Sequence, residues 1–257
     1  MRIRASVAVV SGALALSALA VPAAQADGSQ GDIKITKVVV DGDNKVQLGI
    51  HDPVTIKVSV TARDDSGIKG TGGPFQLLGA DHGIASSSRP RCAKVSATTS
   101  TCTASVKIDP KMYPRDYYLT NKSAGAWYVN AWVEANDHDY IWGEKAGFFS
   151  FQRKARLSVN AAPEPVKKGR TITVTGALTR ADWEALKYGG YGARSVKLQF
   201  RKAGGKSYTT LRTVKADAEG KLKTTAKATA DGYYRFSYAG DSTTGAVNSA
   251  ADFIDVK

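Results

Sequence analysis

Aspartate and asparagine recur beside glycine in short clusters: Asp41-Gly42-Asp43-Asn44, Asp64-Asp65 and Asn136-Asp137-His138-Asp139, with Asp81 standing alone. Carboxylates on turns that can wrap an ion are the donor set of calcium, which takes about six to eight oxygens. Asp41, Asp43, Asp64, Asp65, Asp137 and Asp139 are therefore the candidate metal ligands, and calcium the candidate cofactor. None of the clusters is an EF-hand: counted from Asp41, the fifth position is Lys45 and the sixth is Val46, where that loop needs glycine. The same residue types also build solvated chain reversals that hold no ion. All three histidines stand next to an aspartate, at His51-Asp52, Asp81-His82 and Asp137-His138-Asp139. Such sets ligate zinc or copper where loops converge, but neighbours on a strand point to opposite faces, so surface turns are the expectation. No G-x-S-x-G elbow, H-E-x-x-H helix or phosphate-binding loop occurs, and the chain reads as a non-enzymatic binding protein.

A second pattern is basic. Lys221, Lys223 and Lys227 fall on one face of an alternating segment, opposite Leu222, Thr224 and Ala226, and Lys197 and Arg201 do the same around Leu198 and Phe200. If both segments lie in one sheet, these five cations make a surface that attracts polyanions such as teichoic acid, acidic polysaccharide or extracellular nucleic acid, with an affinity that falls as salt rises. The alternative is a solvated face that keeps the domain soluble and its edge strands unpaired. No RNA-binding or helix-turn-helix pattern accompanies the charge, so sequence-specific nucleic-acid recognition is not expected. A third pattern sets Tyr128, Asn130, Trp132 and Glu134 on one strand face, where Tyr128 and Trp132 would stack on sugar rings, or would be covered by a loop or a second domain.

The elements that carry these residues are β throughout. Val54, Ile56, Val58, Val60 and Ala62 alternate with polar residues, as do Trp127 to Ala135, Ile172 to Gly176, Val196 to Phe200 and Tyr234 to Tyr238. Turn signals separate them at Asp65-Ser66-Gly67, Ala203 to Lys206, Asp217 to Gly220 and Asp231-Gly232. Only Ala181 to Leu186 suggests a helical turn. Short strands at close spacing without crossover helices predict antiparallel sandwiches. Ahead of them, Arg2 and Arg4 precede an uncharged run that ends in Ala24-Gln25-Ala26, the pattern of a secretory signal peptide over residues 1–26, cleaved after Ala26. No later segment is apolar for long enough to span a membrane. In an oxidising compartment the two cysteines of the chain, Cys92 and Cys102, read as one disulfide across a hairpin.

Charge divides the remainder. Residues 27–154 hold 16 basic and 14 acidic side chains, whereas residues 155–257 hold 18 and 9. That shift, with Pro163 and Pro165 just beyond it, marks a boundary near residue 154. The later part, with Val166-Lys-Lys-Gly169, Ile172-Thr-Val174-Thr-Gly176, Asp217-Ala-Glu-Gly220 and Gly232-Tyr-Tyr-Arg-Phe-Ser-Tyr-Ala-Gly240-Asp241, resembles the bacterial immunoglobulin-like domains of secreted actinobacterial proteins. The whole chain is similar to a group of small two-domain secreted proteins often labelled calcium-binding, and that resemblance implies calcium and a cell-envelope or extracellular setting. The resulting expectation is an all-β protein: two tandem immunoglobulin-like antiparallel β-sandwiches after a cleaved signal peptide. Its work would be docking to an anionic cell-wall or extracellular polymer through the second, with calcium binding in the first, or a spacer role, as alternatives.

Overall fold

Alternation with one dry face needs a second sheet to cover it, and the computed structural model, which describes residues 28–79, 84–111 and 119–257, pairs the sheets in that way. The signal-peptide reading, Asp81 and His82 lie outside the described residues. In the first sandwich, Val54–Arg63 pairs antiparallel with Lys34–Val40 on one side and Thr99–Ile108 on the other, and Arg91–Lys94 closes the edge. The opposing sheet is built on Gly125–Ala135 and Tyr140–Arg153, flanked by Gly28–Gln30, Gln76–Gly79, Ile84–Ser86 and Ile68–Thr71. One pairing departs from the antiparallel rule: Lys45–Leu48 runs parallel to the end of Tyr140–Arg153. Ile56, Val58, Val60 and Ala62 meet Trp127, Val129, Phe149 and Phe151 in the core between the sheets.

The second sandwich sets Thr171–Asp182, with Lys221–Lys227 and three short strands beside it, against a sheet of Thr209–Lys215, Ser195–Lys202, Gly232–Tyr238, Val247–Asn248 and Asp252–Ile254. Its core collects Ile172, Val174, Leu198, Leu222, Tyr234 and Phe236. The disulfide joins Cys92 and Cys102, which face each other directly in a hairpin, so these are not reactive free thiols.

Residues 181–186 do not form the helical turn expected from sequence. They are the tip of a hairpin between Thr171–Asp182 and Lys187–Gly190, and Trp183 at that tip is buried in the core of the other sandwich. Its ring lies 5.2 Å from that of Phe151, and its indole N–H donates to the Leu48 and Gly49 carbonyls at 3.2 and 3.1 Å. Arg153, itself buried, donates to the Ala181 carbonyl beside it. A second tie uses the loop after Gly232–Tyr238: Arg153 N–H donates to Thr243 O, Gly245 N–H to Arg153 O, and the Gln152 amide to Asp241 O. Asp241 shapes that loop, because its carboxylate accepts from Tyr191 and Tyr238 hydroxyls and from both the N–H and the hydroxyl of Thr243. Burial works against the charge of Asp241, but these donors outweigh it and hold its carboxyl down at about 2.

Two outcomes follow from this junction. Calorimetry should give one unfolding transition for the intact protein, and Trp183→Ala should split it, with the first sandwich losing about 3 to 5 kcal/mol as its plug is removed; two separate transitions in the unmodified protein would contradict a shared core. Because the carboxyl of Asp241 is depressed in the folded state, its stabilisation is complete above the unfolded-state value near 4 and is lost as pH falls toward 2. Asp241→Asn should therefore lower stability at neutral pH and flatten the acid limb of stability measured by denaturant titration. An unchanged acid limb would remove Asp241 from that role.

Candidate functional site

At the end of the first sandwich away from this junction, three chain segments converge. The first is the turn at residues 64–67, which leaves Val54–Arg63: Asp64 O accepts from Gly67 N–H, and Asp64 Oδ1 accepts from Ser66 N–H at 2.9 Å and from Ser66 Oγ at 2.6 Å. Gly67 is needed there, since φ is +85° and a Cβ would lie 2.6 Å from the Ala97 carbonyl oxygen in the tip of the disulfide hairpin. The second is the turn at residues 136–139, tied to the first by Asn136 N–H to Gly67 O, the Asn136 amide to Ser66 O, and Asp137 N–H to Ser66 Oγ. The third is the segment after Gly28–Gln30, where Asp32 N–H donates to Asp139 Oδ2 at 2.9 Å and Gly31 leaves room for the same carboxylate.

This convergence gathers five carboxylates. One oxygen each from Asp32, Asp64 and Asp65 lies within 4.8 Å of the others, and the same holds for Asp64, Asp137 and Asp139, so that Asp64 is common to both groups. Asp64 is 1% exposed, and its Oδ2 is buried without a hydrogen-bond partner. Asp32 is exposed, yet partial loss of water and the charges of Asp65, Asp64 and Asp139 push its carboxyl above its ordinary value. Lys34 and Arg63 line the cleft beside Asp32, Asp64 and Asp65, but among the described residues no ion pair joins either to the cluster.

Four of the six aspartates singled out in sequence thus meet: Asp64, Asp65, Asp137 and Asp139. Asp41 and Asp43 do not. They turn the chain at the far end of Lys34–Val40, where Asp41 N–H donates to Lys57 O, about 20 Å of strand from the cluster. Asp32 was missed, because it stands alone ahead of a strand and no acidic neighbour marks it. Neither His51 nor His138 belongs to either acidic group.

The basic residues part company in the same way. Lys221, Lys223 and Lys227 pair through Lys221–Lys227 with Thr171–Asp182, whereas Lys197 and Arg201 belong to the opposing sheet. The chain crosses from one sheet to the other at residues 216–220, so the five cations form two outer faces and not one. Tyr128 and Trp132 are partly covered: loop residue Gly72 lies against the Trp132 indole, which is 39% exposed and meets Trp142 edge-on at 6.1 Å, and half-buried Tyr128 lies beside Phe148 with Lys145 over its ring.

Among the described residues no helix is long and apolar enough to cross a membrane. No protein-family model and no curated protein matches the chain. Solved structures that resemble it include the adhesin InvE of Yersinia pseudotuberculosis (12% identity over 85% of this chain and 58% of that one, TM-score 0.28) and a DUF4785 family protein of Legionella pneumophila (14%, 84% and 54%, TM-score 0.36). A third is the D00-D0 domain of intimin (13%, 86% and 98%, TM-score 0.27). The chain spans little more than half the length of the first two. Its own architecture is that of two largely antiparallel β-sandwiches.

Proposed function

We propose that this protein is a non-enzymatic extracellular binding protein and that the acidic end of its first sandwich holds a calcium ion. The observation that carries this reading is Asp64 Oδ2. A buried polar atom without a partner costs about 1 to 3 kcal/mol, and more when it carries charge, so native structures seldom retain one unless something outside the chain satisfies it. The donor set fits a hard cation: every candidate ligand is a carboxylate oxygen, and no histidine or cysteine belongs to either group, which disfavours zinc and copper. Asp64 would be the shared ligand, with Asp32 and Asp65 on one side and Asp137 and Asp139 on the other. Bound there, the ion would supply positive charge that ties the segment after Gly28–Gln30 to two turns of the opposing sheets. The disulfide supports the extracellular setting, since such bonds persist in oxidising compartments.

Thermal unfolding of the purified protein in millimolar calcium against excess chelator, at constant ionic strength, tests the reading. Calcium at about a hundred times its dissociation constant should add about 2.7 kcal/mol, and magnesium, with its stricter octahedral demand, should add less. Equal midpoints in calcium and chelator would eliminate a tight site. Substitution localises it: Asp64→Asn should abolish the calcium-dependent rise while leaving the protein folded in chelator, and Asp41→Asn should leave the rise intact. A rise that survives Asp64→Asn but not Asp41→Asn would move the ion to the other turn.

A further inference from the structure

The sheet of Ser195–Lys202, Thr209–Lys215 and Gly232–Tyr238 turns Leu198, Tyr234 and Phe236 inward and leaves Lys197, Gln199, Arg201, Tyr233 and Arg235 in register on its outer side. None of these three strands contains an aspartate or glutamate. Asp252, at the start of the neighbouring Asp252–Ile254, is engaged by Ala161 N–H. On this side guanidinium groups and rings alternate. Arg235 lies 3.7 Å over the Tyr208 ring, Arg201 lies 5.3 Å from that ring and 4.3 Å from Tyr233, and Tyr233 packs on Phe253 at 5.1 Å. The two arginines are further fixed by neutral acceptors, Gln199 Oε1 for Arg235 and Gly205 O for Arg201, each at 2.9 Å.

A face that serves only solubility mixes both signs on mobile stems. Here two like charges are held on one ring, half-buried, on three strands that contain no carboxylate, an arrangement whose repulsion an incoming anion relieves. Guanidinium forks match carboxylates in bidentate geometry, and the flat rings between them present apolar faces of the size of a sugar ring. We propose that this outer face binds an anionic polysaccharide, with carboxylates on Arg201 and Arg235 and sugar rings against Tyr208, Tyr233 and Phe253. Charge complementarity sets the sign of the partner, and the interleaved rings select a polymer of sugars over a bare polyanion. The opposite sheet offers a built-in comparison: Lys221, Lys223 and Lys227 carry similar charge without rings, and Lys221 already faces Glu219 at 3.9 Å.

The site is separate from the acidic cluster, so its test is run in chelator, which also prevents calcium from bridging probe and protein. Titration of the full chain with polygalacturonate at low ionic strength should show binding that is lost by about 0.5 M salt. Arg201→Gln and Arg235→Gln should each weaken it by about tenfold or more, and Tyr208→Leu, which keeps the bulk but removes the flat ring, should weaken it as well. The triple variant Lys221→Gln, Lys223→Gln, Lys227→Gln should stay within about twofold, since exposed charges remote from a contact contribute little. The proposal is overturned by absence of polygalacturonate binding, by equal losses in the arginine and lysine variants, which would reduce the effect to net charge, or by tighter binding of a single-stranded oligonucleotide than of polygalacturonate. Circular dichroism of each variant separates loss of binding from loss of fold.

Discussion

Trp183 belongs by connectivity to one sandwich and by burial to the other, and the rest of the molecule is arranged around that exchange. A hairpin tip would ordinarily be polar and solvated, because backbone groups there have no ladder to join. In this protein the tip buries a tryptophan between Asp182 and Glu184, its indole N–H reaches two carbonyls, and the Asn121 side chain accepts from Trp183 N–H. Two polypeptide units that could have been hinged thereby share a core. Arg153 reinforces the point from the other direction. Although buried, it forms no ion pair among the described residues; its guanidinium donates to a carbonyl, and burial together with the nearby Arg180 charge lowers its affinity for the proton, against the opposing charges of Asp182 and Glu184.

The strand Tyr140–Arg153 connects this junction with the acidic cluster. It begins immediately after Asp139 and ends at Arg153, so one element positions both features, about 40 Å apart along its length. The cluster itself is an example of local turn chemistry placed under tertiary control. The pairing of Gly28–Gln30 with the start of this strand brings Asp32 to Asp139, and the turn at 64–67, closed by Asp64, is held against the turn at 136–139 on one side and the tip of the disulfide hairpin on the other.

Much of this architecture is legible in the chain. Period-two alternation identifies the core strands Val54–Arg63, Gly125–Ala135 and Gly232–Tyr238, and the sparse cysteines identify their own bridge. What is not legible is partnership at long range. Lys197 and Lys223 have the same local pattern, and nothing near either shows that one joins Gly232–Tyr238 while the other joins Thr171–Asp182. Asp41 and Asp64 likewise sit in turns of the same composition at opposite ends of the same pair of strands, so type and spacing group residues that topology separates. Asp32 fails in the opposite sense: it has no local signature and acquires meaning only from a carboxylate more than a hundred residues away. Residues 181–186 mislead for a third reason, since a tryptophan among polar residues satisfies a helical period as readily as it fills a pocket in another unit.

The rigid junction also has an electrical consequence. Five carboxylates stand at one pole, while residues 155–257, with 18 basic and 9 acidic side chains, make up the other. Held apart by a shared core and not by a swivel, these charges give the molecule a fixed dipole moment. The field of an anionic surface would exert a torque on such a body, drawing its cationic sandwich inward and its acidic end toward solvent. A divalent ion at that end would partly discharge the outer pole, so the torque that aligns the protein would depend on the ionic composition of the medium around it.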